Sequence, residues 1–355
     1  VFAPPPLPRT FEASVRDVAS AKAEVRVSAL ADLVRHGRSA DDTRDRVLPL
    51  VERALSDDTA QVRAAAAVAL GELGSGGALP RLLVAIDDPH PHVRQMALNA
   101  LGEIGDPRAA ARIVRALADE RPEVRYQAVI AYPRLEADAG AVDAALVHAT
   151  ADADPSVRYI ALRVAEERAT AGSTPSSAMI AAARAHLGPS ETAGEVVLAA
   201  AILLAKAGIA DGHDALVRAA RGDKIRGRVA EPEDTAEAIE LAGRLGLREV
   251  VPALERRAFG FARHLRETSS FAATIALARL GNARAVESIV TDLTHRDPDK
   301  RRAAIVAAGR ARLEQVRARI ASAAASDDDP VTRELAGEAL RTLDTHDAVG
   351  VGSAS

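Results

Sequence analysis

Apolar and polar positions along this chain follow a helical period that restarts every 31 to 39 residues. Ten positions serve as anchors for the pattern: Val25, Val62, Val93, Val124, Val157, Val196, Asp234, Ser269, Lys300 and Thr332. Counted from each anchor, offsets 0, 4, 7, 8 and 11 are mostly apolar and fall on one stripe of a helix. Offset 4 is alanine all ten times, from Ala29 and Ala66 to Ala304 and Ala336. With 80 alanines in 355 residues, chance would place about two there. A small side chain at so regular a place implies that a neighbouring helix approaches closely.

The ends of these helices are also written in the sequence. Proline stands two residues before the anchor six times (Pro91, Pro122, Pro155, Pro232, Pro298, Pro330). Aspartate precedes it at Asp154, Asp297 and Asp329. That pair reads as an N-cap followed by proline at the first helical position, where no N–H is needed. Glycine stands twelve residues after the anchor at Gly37, Gly74, Gly105, Gly208, Gly246 and Gly281, which predicts left-handed helix ends there. A second helical stretch separates successive anchor helices, for instance Thr43–Leu55, Ala78–Ile86, Arg108–Leu117 and Ala283–Leu293. Two antiparallel helices per repeat, none able to bury its apolar stripe alone, predict an all-α, right-handed α-solenoid of about ten pairs. The expected organisation is a Pro-rich lead over 1–9, one solenoid over 10–345 with atypical end repeats as caps, and a small, polar, flexible tail over 346–355.

The recurring phrase Asp-x-x-x-x-Val-Arg-x-x-Ala-x-x-Ala-Leu-Gly-x-Leu-Gly resembles the HEAT repeat, and most closely the short bacterial type also called the phycobilisome-lyase HEAT-like repeat. The likeness is strong over 57–168 and 297–343. It weakens over 196–281, where the arginine after the anchor becomes Val197, Thr235 and Ser270. The resemblance implies a binding surface more often than an enzyme, and it puts the second helix of each pair on the concave wall.

Composition narrows the chemistry. There is no cysteine, hence no disulfide, thiolate metal site or cysteine nucleophile. No apolar run reaches the length of a membrane span. Net charge is −4, so the chain is not a globally basic nucleic-acid binder. No phosphate loop, nucleophile elbow or HExxH motif occurs. His90-Pro91-His92 beside Asp87-Asp88 has metal-ligand residue types, but other repeats carry Thr59 and Gln61 or Arg121 and Glu123 in that slot, so it reads as a generic turn. No metal or cofactor is expected. The chain opens on Val1, not Met, so a preceding signal segment, anchor or domain is compatible with it; the compartment stays open, with cytoplasm the default.

The arginine after the anchor appears as Arg26, Arg63, Arg94, Arg125, Arg158, Arg301 and Arg333. Acids five or six residues before such an arginine (Asp57/Asp58, Asp88, Asp119/Glu120, Asp152, Asp327/Asp328) predict a structural ladder between neighbouring turns. A functional signal comes from offset 10, which lies off the buried stripe. It is mixed in sign early and becomes uniformly positive as Lys206, Arg244, Arg279 and Arg310. Segment 213–320 holds 21 basic and 15 acidic residues, including Lys224, Arg226 and Arg228 in a long inter-helix loop and Arg256, Arg257, Arg263 and Arg266 beyond it. Tyr126 and Tyr159 share one register in adjacent repeats, as partner anchors or as packing between repeats. The function expected from these residues is a non-catalytic scaffold or adaptor, or a structural subunit of a larger complex, that binds an acidic protein surface. The alternatives are nucleic-acid binding through 213–320, or an accessory, lyase-like role with a tetrapyrrole or other prosthetic group.

Overall fold

The structure is a computed structural model, and it describes residues 9–39, 41–74, 76–260 and 267–345. The lead apart from Arg9, the tail after Thr345, and Arg263 and Arg266 lie outside the described residues. Among the described residues there are 20 α-helices and no strand, only an isolated bridge between Ile225 and Arg228. The helices form ten pairs. They are α1 (Phe11–Asp17) with α2 (Ala23–Ser39), α3 (Asp41–Ala54) with α4 (Ala60–Leu73), α5 (Leu79–Ala85) with α6 (Pro91–Ile104), α7 (Ala110–Ala116) with α8 (Pro122–Ala131), and α9 (Ala139–Ala149) with α10 (Pro155–Thr170). The series continues with α11 (Ser177–His186) and α12 (Gly194–Lys206), α13 (His213–Arg221) and α14 (Pro232–Arg244), and α15 (Val251–Phe259) and α16 (Glu267–Arg279). It ends with α17 (Ala283–Asp292) and α18 (Pro298–Ala311), then α19 (Arg317–Ser326) and α20 (Pro330–Asp344). Every anchor lies on an even-numbered helix, the second of its pair.

The chain divides into two compact units, residues 1–165 and 166–355, with the boundary inside α10. Each is an all-α solenoid. In both, all ten offset-4 alanines are at most 4% exposed. The six prolines each begin their helix, and Asp154, Asp297 and Asp329 accept backbone N–H groups as N-caps.

Glycine does two jobs, one of them unforeseen. Gly74, Gly105, Gly208, Gly246 and Gly281 end their helices at positive φ, but Gly37 does not. It lies inside α2, where its missing side chain admits Leu73 and Val47. Arg312 takes the left-handed conformation at the same register of α18. The close approach between successive even helices comes from another register: Gly71, Gly102, Gly243 and Gly309, each nine after an anchor. A methyl on Gly71 would lie 2.8 Å from the Cα of Ala100, and one on Gly243 would lie 2.7 Å from the Cα of Ala276. The corresponding contacts of Gly102 and Gly309 are with Ala131 and Ala339. The offset-4 alanine is therefore core, and the glycine facing an alanine on the next even helix sets the spacing. We refer to this more closely spaced even-helix layer as the inner wall of each unit.

Candidate functional site

The ladder runs along one end of the even helices. In unit 1, Arg63 donates from Nε and Nη2 to Asp88 at 2.7 and 2.9 Å, Arg94 to Asp119 at 2.9 and 2.7 Å, and Arg125 to Asp152 at 2.7 Å twice. Arg26 donates to Asp57 at 2.7 Å. The remaining guanidinium nitrogen of each turns back to carbonyls five and six residues earlier, as Arg94 does to Asp88 and Pro89. Each carboxylate also accepts the backbone N–H two residues on, for example Asp119 from Arg121. So each arginine binds its own turn through carbonyls and the next repeat's turn through a carboxylate. Burial alone would push these carboxyls up; the arginines and backbone N–H groups outweigh it and hold Asp57, Asp88, Asp119 and Asp152 below the ordinary aspartate range. In unit 2, Arg301 makes the same two-pronged contact with Asp327, and Arg302 adds a bond to Asp329.

The exposed part of the inner wall is made by offsets 3, 6 and 10. In unit 1 these carry half-buried Val68, Met96 and Ile130 and exposed Glu72, Glu103 and Arg134. A polar chain crosses the wall: Gln127 donates to Asn99 at 3.2 Å, and Asn99 to Glu103 at 3.0 Å. Tyr126 and Tyr159 are both half-buried at their shared register.

Unit 2 differs. Offsets 3 and 6 of α12 and α16 (Ala199, Ile202, Ala272, Ile275) are at most 3% exposed. The offset-10 column is not a row of free cations. Lys206 is held between Glu166 and Glu237. Arg310 reaches Glu240, and Arg279 donates to the Arg310 carbonyl at 3.0 Å. Arg244 is exposed and meets no counter-charge among the described residues. Glu237 and Glu240 are the residues that reading one column at a time misses. They sit at offsets 3 and 6 of α14, on the face that offset 10 shares by helical spacing, and that is the signal which points to them.

The loop after α13 is more built than its composition suggests. Ile225 and Arg228 exchange backbone hydrogen bonds at 2.8 and 3.1 Å around Arg226 and Gly227, both at positive φ. That is a type I′ turn. Ile225 is buried against Gly194, and Arg226 donates to the Gly188 carbonyl at 2.8 Å. Arg226 is thus a tether, while Lys224 and Arg228 keep exposed side chains. At the other suspected cluster, His90 accepts from the His92 N–H at 3.3 Å as an N-cap, and no group of three or more His, Asp or Glu among the described residues is placed to hold a metal ion. No helix among them is long and apolar enough to cross a membrane.

Residues 47–133 match the family of HEAT repeats. No curated protein matches the chain by sequence. Among solved structures, the Escherichia coli protein YibA is 18% identical with a TM-score of 0.52, over 77% of this chain and 92% of that one. Kap95, in a complex with Nup1, is 15% identical with a TM-score of 0.55, over 94% of this chain and 49% of that one. The CpcE–CpcF complex of phycocyanin lyase from Nostoc sp. PCC7120 is 16% identical with a TM-score of 0.43, over 75% of this chain and 96% of that one. The likeness to YibA and Kap95 is one of fold: an all-α HEAT-repeat solenoid.

Proposed function

We propose that this HEAT-repeat solenoid is a non-catalytic protein-binding scaffold whose main contact surface is the inner wall of unit 1. The observation that carries the reading is the contrast on that wall. Val68, Met96 and Ile130 stay partly open on α4, α6 and α8, rimmed by Glu72, Glu103 and Arg134, on helices held by successive ladder rungs. A rigid wall with an apolar middle and a charged rim suits a protein segment, because little ordering entropy is lost on the scaffold side. The complex of Kap95 with Nup1 is an example of a protein partner on this fold. A smaller contact for an acidic segment is proposed at Lys224, Arg228 and Arg244, whose side chains are exposed and meet no counter-charge among the described residues. The engagement of Lys206 and Arg310 with glutamates makes a continuous basic track for nucleic acid less favourable.

The test places a photo-cross-linking residue at Asn99 and, separately, at Arg244 in cells of the source organism. A discrete protein adduct from position 99, lost in Val68→Glu/Ile130→Glu, is the expected result. An adduct unchanged by that double substitution, or adducts from position 244 alone, would overturn the assignment to unit 1.

A further inference from the structure

Four departures from the repeat meet at one junction of unit 2, between α16 and α18. Ser270 replaces the ladder arginine, and His295 stands where the next repeat's aspartate belongs. Ala278 occupies the register at which Gly243 and Gly309 admit their neighbours. Lys300 occupies the anchor, which is a fully buried valine at Val62, Val93 and Val124, and it is exposed. With no rung, no glycine contact and no apolar plug, the two helices leave a cleft of about 310 Å³.

The lining combines an apolar floor (Phe271, Ile289, Ala304) with the Ser288 hydroxyl and two charges, Asp292 and Lys300. Asp292 is half-buried, and its carboxylate makes no hydrogen bond or ion pair among the described residues. Among the described residues, the Lys300 ammonium meets only the His295 imidazole, at 3.5 Å. The two charges do not pair with each other. A half-buried carboxylate without a partner favours a cation, and an ammonium at the mouth favours an anion. A ligand bearing one charge would satisfy one group and face the other unmatched. The volume lies at the small end of ligand sites, too small to enclose a tetrapyrrole.

We propose that this cleft binds a small zwitterion with an apolar body, of the class of aliphatic or aromatic α-amino acids. The ligand ammonium meets Asp292, its carboxylate meets Lys300, and its side chain lies on Phe271 and Ile289. Every residue that lines the cleft belongs to unit 2, so the site is separate from the unit 1 wall proposed above as the protein contact.

Titration calorimetry on the full chain with L-leucine and L-phenylalanine tests this. Saturable binding is expected. It should weaken about tenfold or more for N-acetyl-L-leucine, for L-leucinamide, and for the Asp292→Asn and Lys300→Met variants. Lys300→Val, which restores the repeat's own residue, should abolish binding while circular dichroism stays unchanged. No heat from either amino acid up to about 10 mM, a range that covers very weak sites, would overturn the proposal. So would equal affinity in the wild type and all three variants.

Discussion

Unit 1 and unit 2 are built from the same repeat, but they secure it differently. Unit 1 is held at one end of its helices by consecutive Arg–Asp rungs, from Arg26–Asp57 to Arg125–Asp152, and its inner wall stays open. In the second unit the arginine is lost at Val197, Thr235 and Ser270, and the inner wall is instead fastened through Lys206–Glu166, Lys206–Glu237 and Arg310–Glu240. Charge at the helix ends frees the wall for contacts. Charge spent across the wall uses up the groups that would meet a partner. The difference shows why a column of like-charged residues cannot be judged before its counter-charges are placed.

Acid should separate the units most sharply. The ladder carboxyls of unit 1 have lowered pKa values, so their stabilisation is complete above about pH 4, the ordinary aspartate value, and is lost as pH falls through the lower folded-state values. Unit 2 has fewer such groups, chiefly Asp327, held down by Arg301, and Asp329, held down by Arg302. Pepsin digestion at stepwise lower pH should cut first within 60–150. First cuts in 170–340 would reverse the comparison. A single rung comes next. Arg94→Ala leaves Asp119 and two carbonyls short of a donor and should cost about 2–3 kcal/mol in urea unfolding, since these are hydrogen bonds to charged or buried groups. Gly71→Ala and Gly243→Ala should each cost about 1–3 kcal/mol through overpacking against the next even helix. Similar losses for both would show that the units share this contact and differ only in their charges. The smallest effect is expected from Arg310→Met, which breaks the more exposed wall pair, Arg310–Glu240. Ion pairs on a wall facing solvent are worth up to about 1 kcal/mol, so its thermal midpoint should shift little. A large shift would mean that the inner-wall pairs do as much for unit 2 as the ladder does for unit 1.

Most of the scaffold is legible in the sequence because each repeat states it again. The anchors, the alanines at offset 4 and the prolines at helix starts all fall where the spacing puts them. The ladder is legible too, since Asp88 and Arg94 occur in one turn and the pattern repeats. What local spacing does not contain is the reach between turns. Arg310 finds Glu240 seventy residues upstream, past an intervening pair. The glycines at Gly71 and Gly102 look like ordinary helix residues until the facing Ala100 and Ala131 are known. Gly37 has the residue type of a helix end, but packing against Leu73 and Val47 keeps it inside the helix. The loop at Ile225 has a basic composition that says nothing of the apolar side chain pinning it down.

The ladder also has a direction. Each arginine reaches toward the carboxyl terminus, and each aspartate receives from the amino-terminal side. A pair copied in tandem between α4 and α6 would therefore find its aspartate met by the arginine before it and its own arginine met by the aspartate after it. Lengthening such an array by whole-repeat duplication strands no group at the new joints, whereas a copy made from half a pair would leave one charge unanswered on each side.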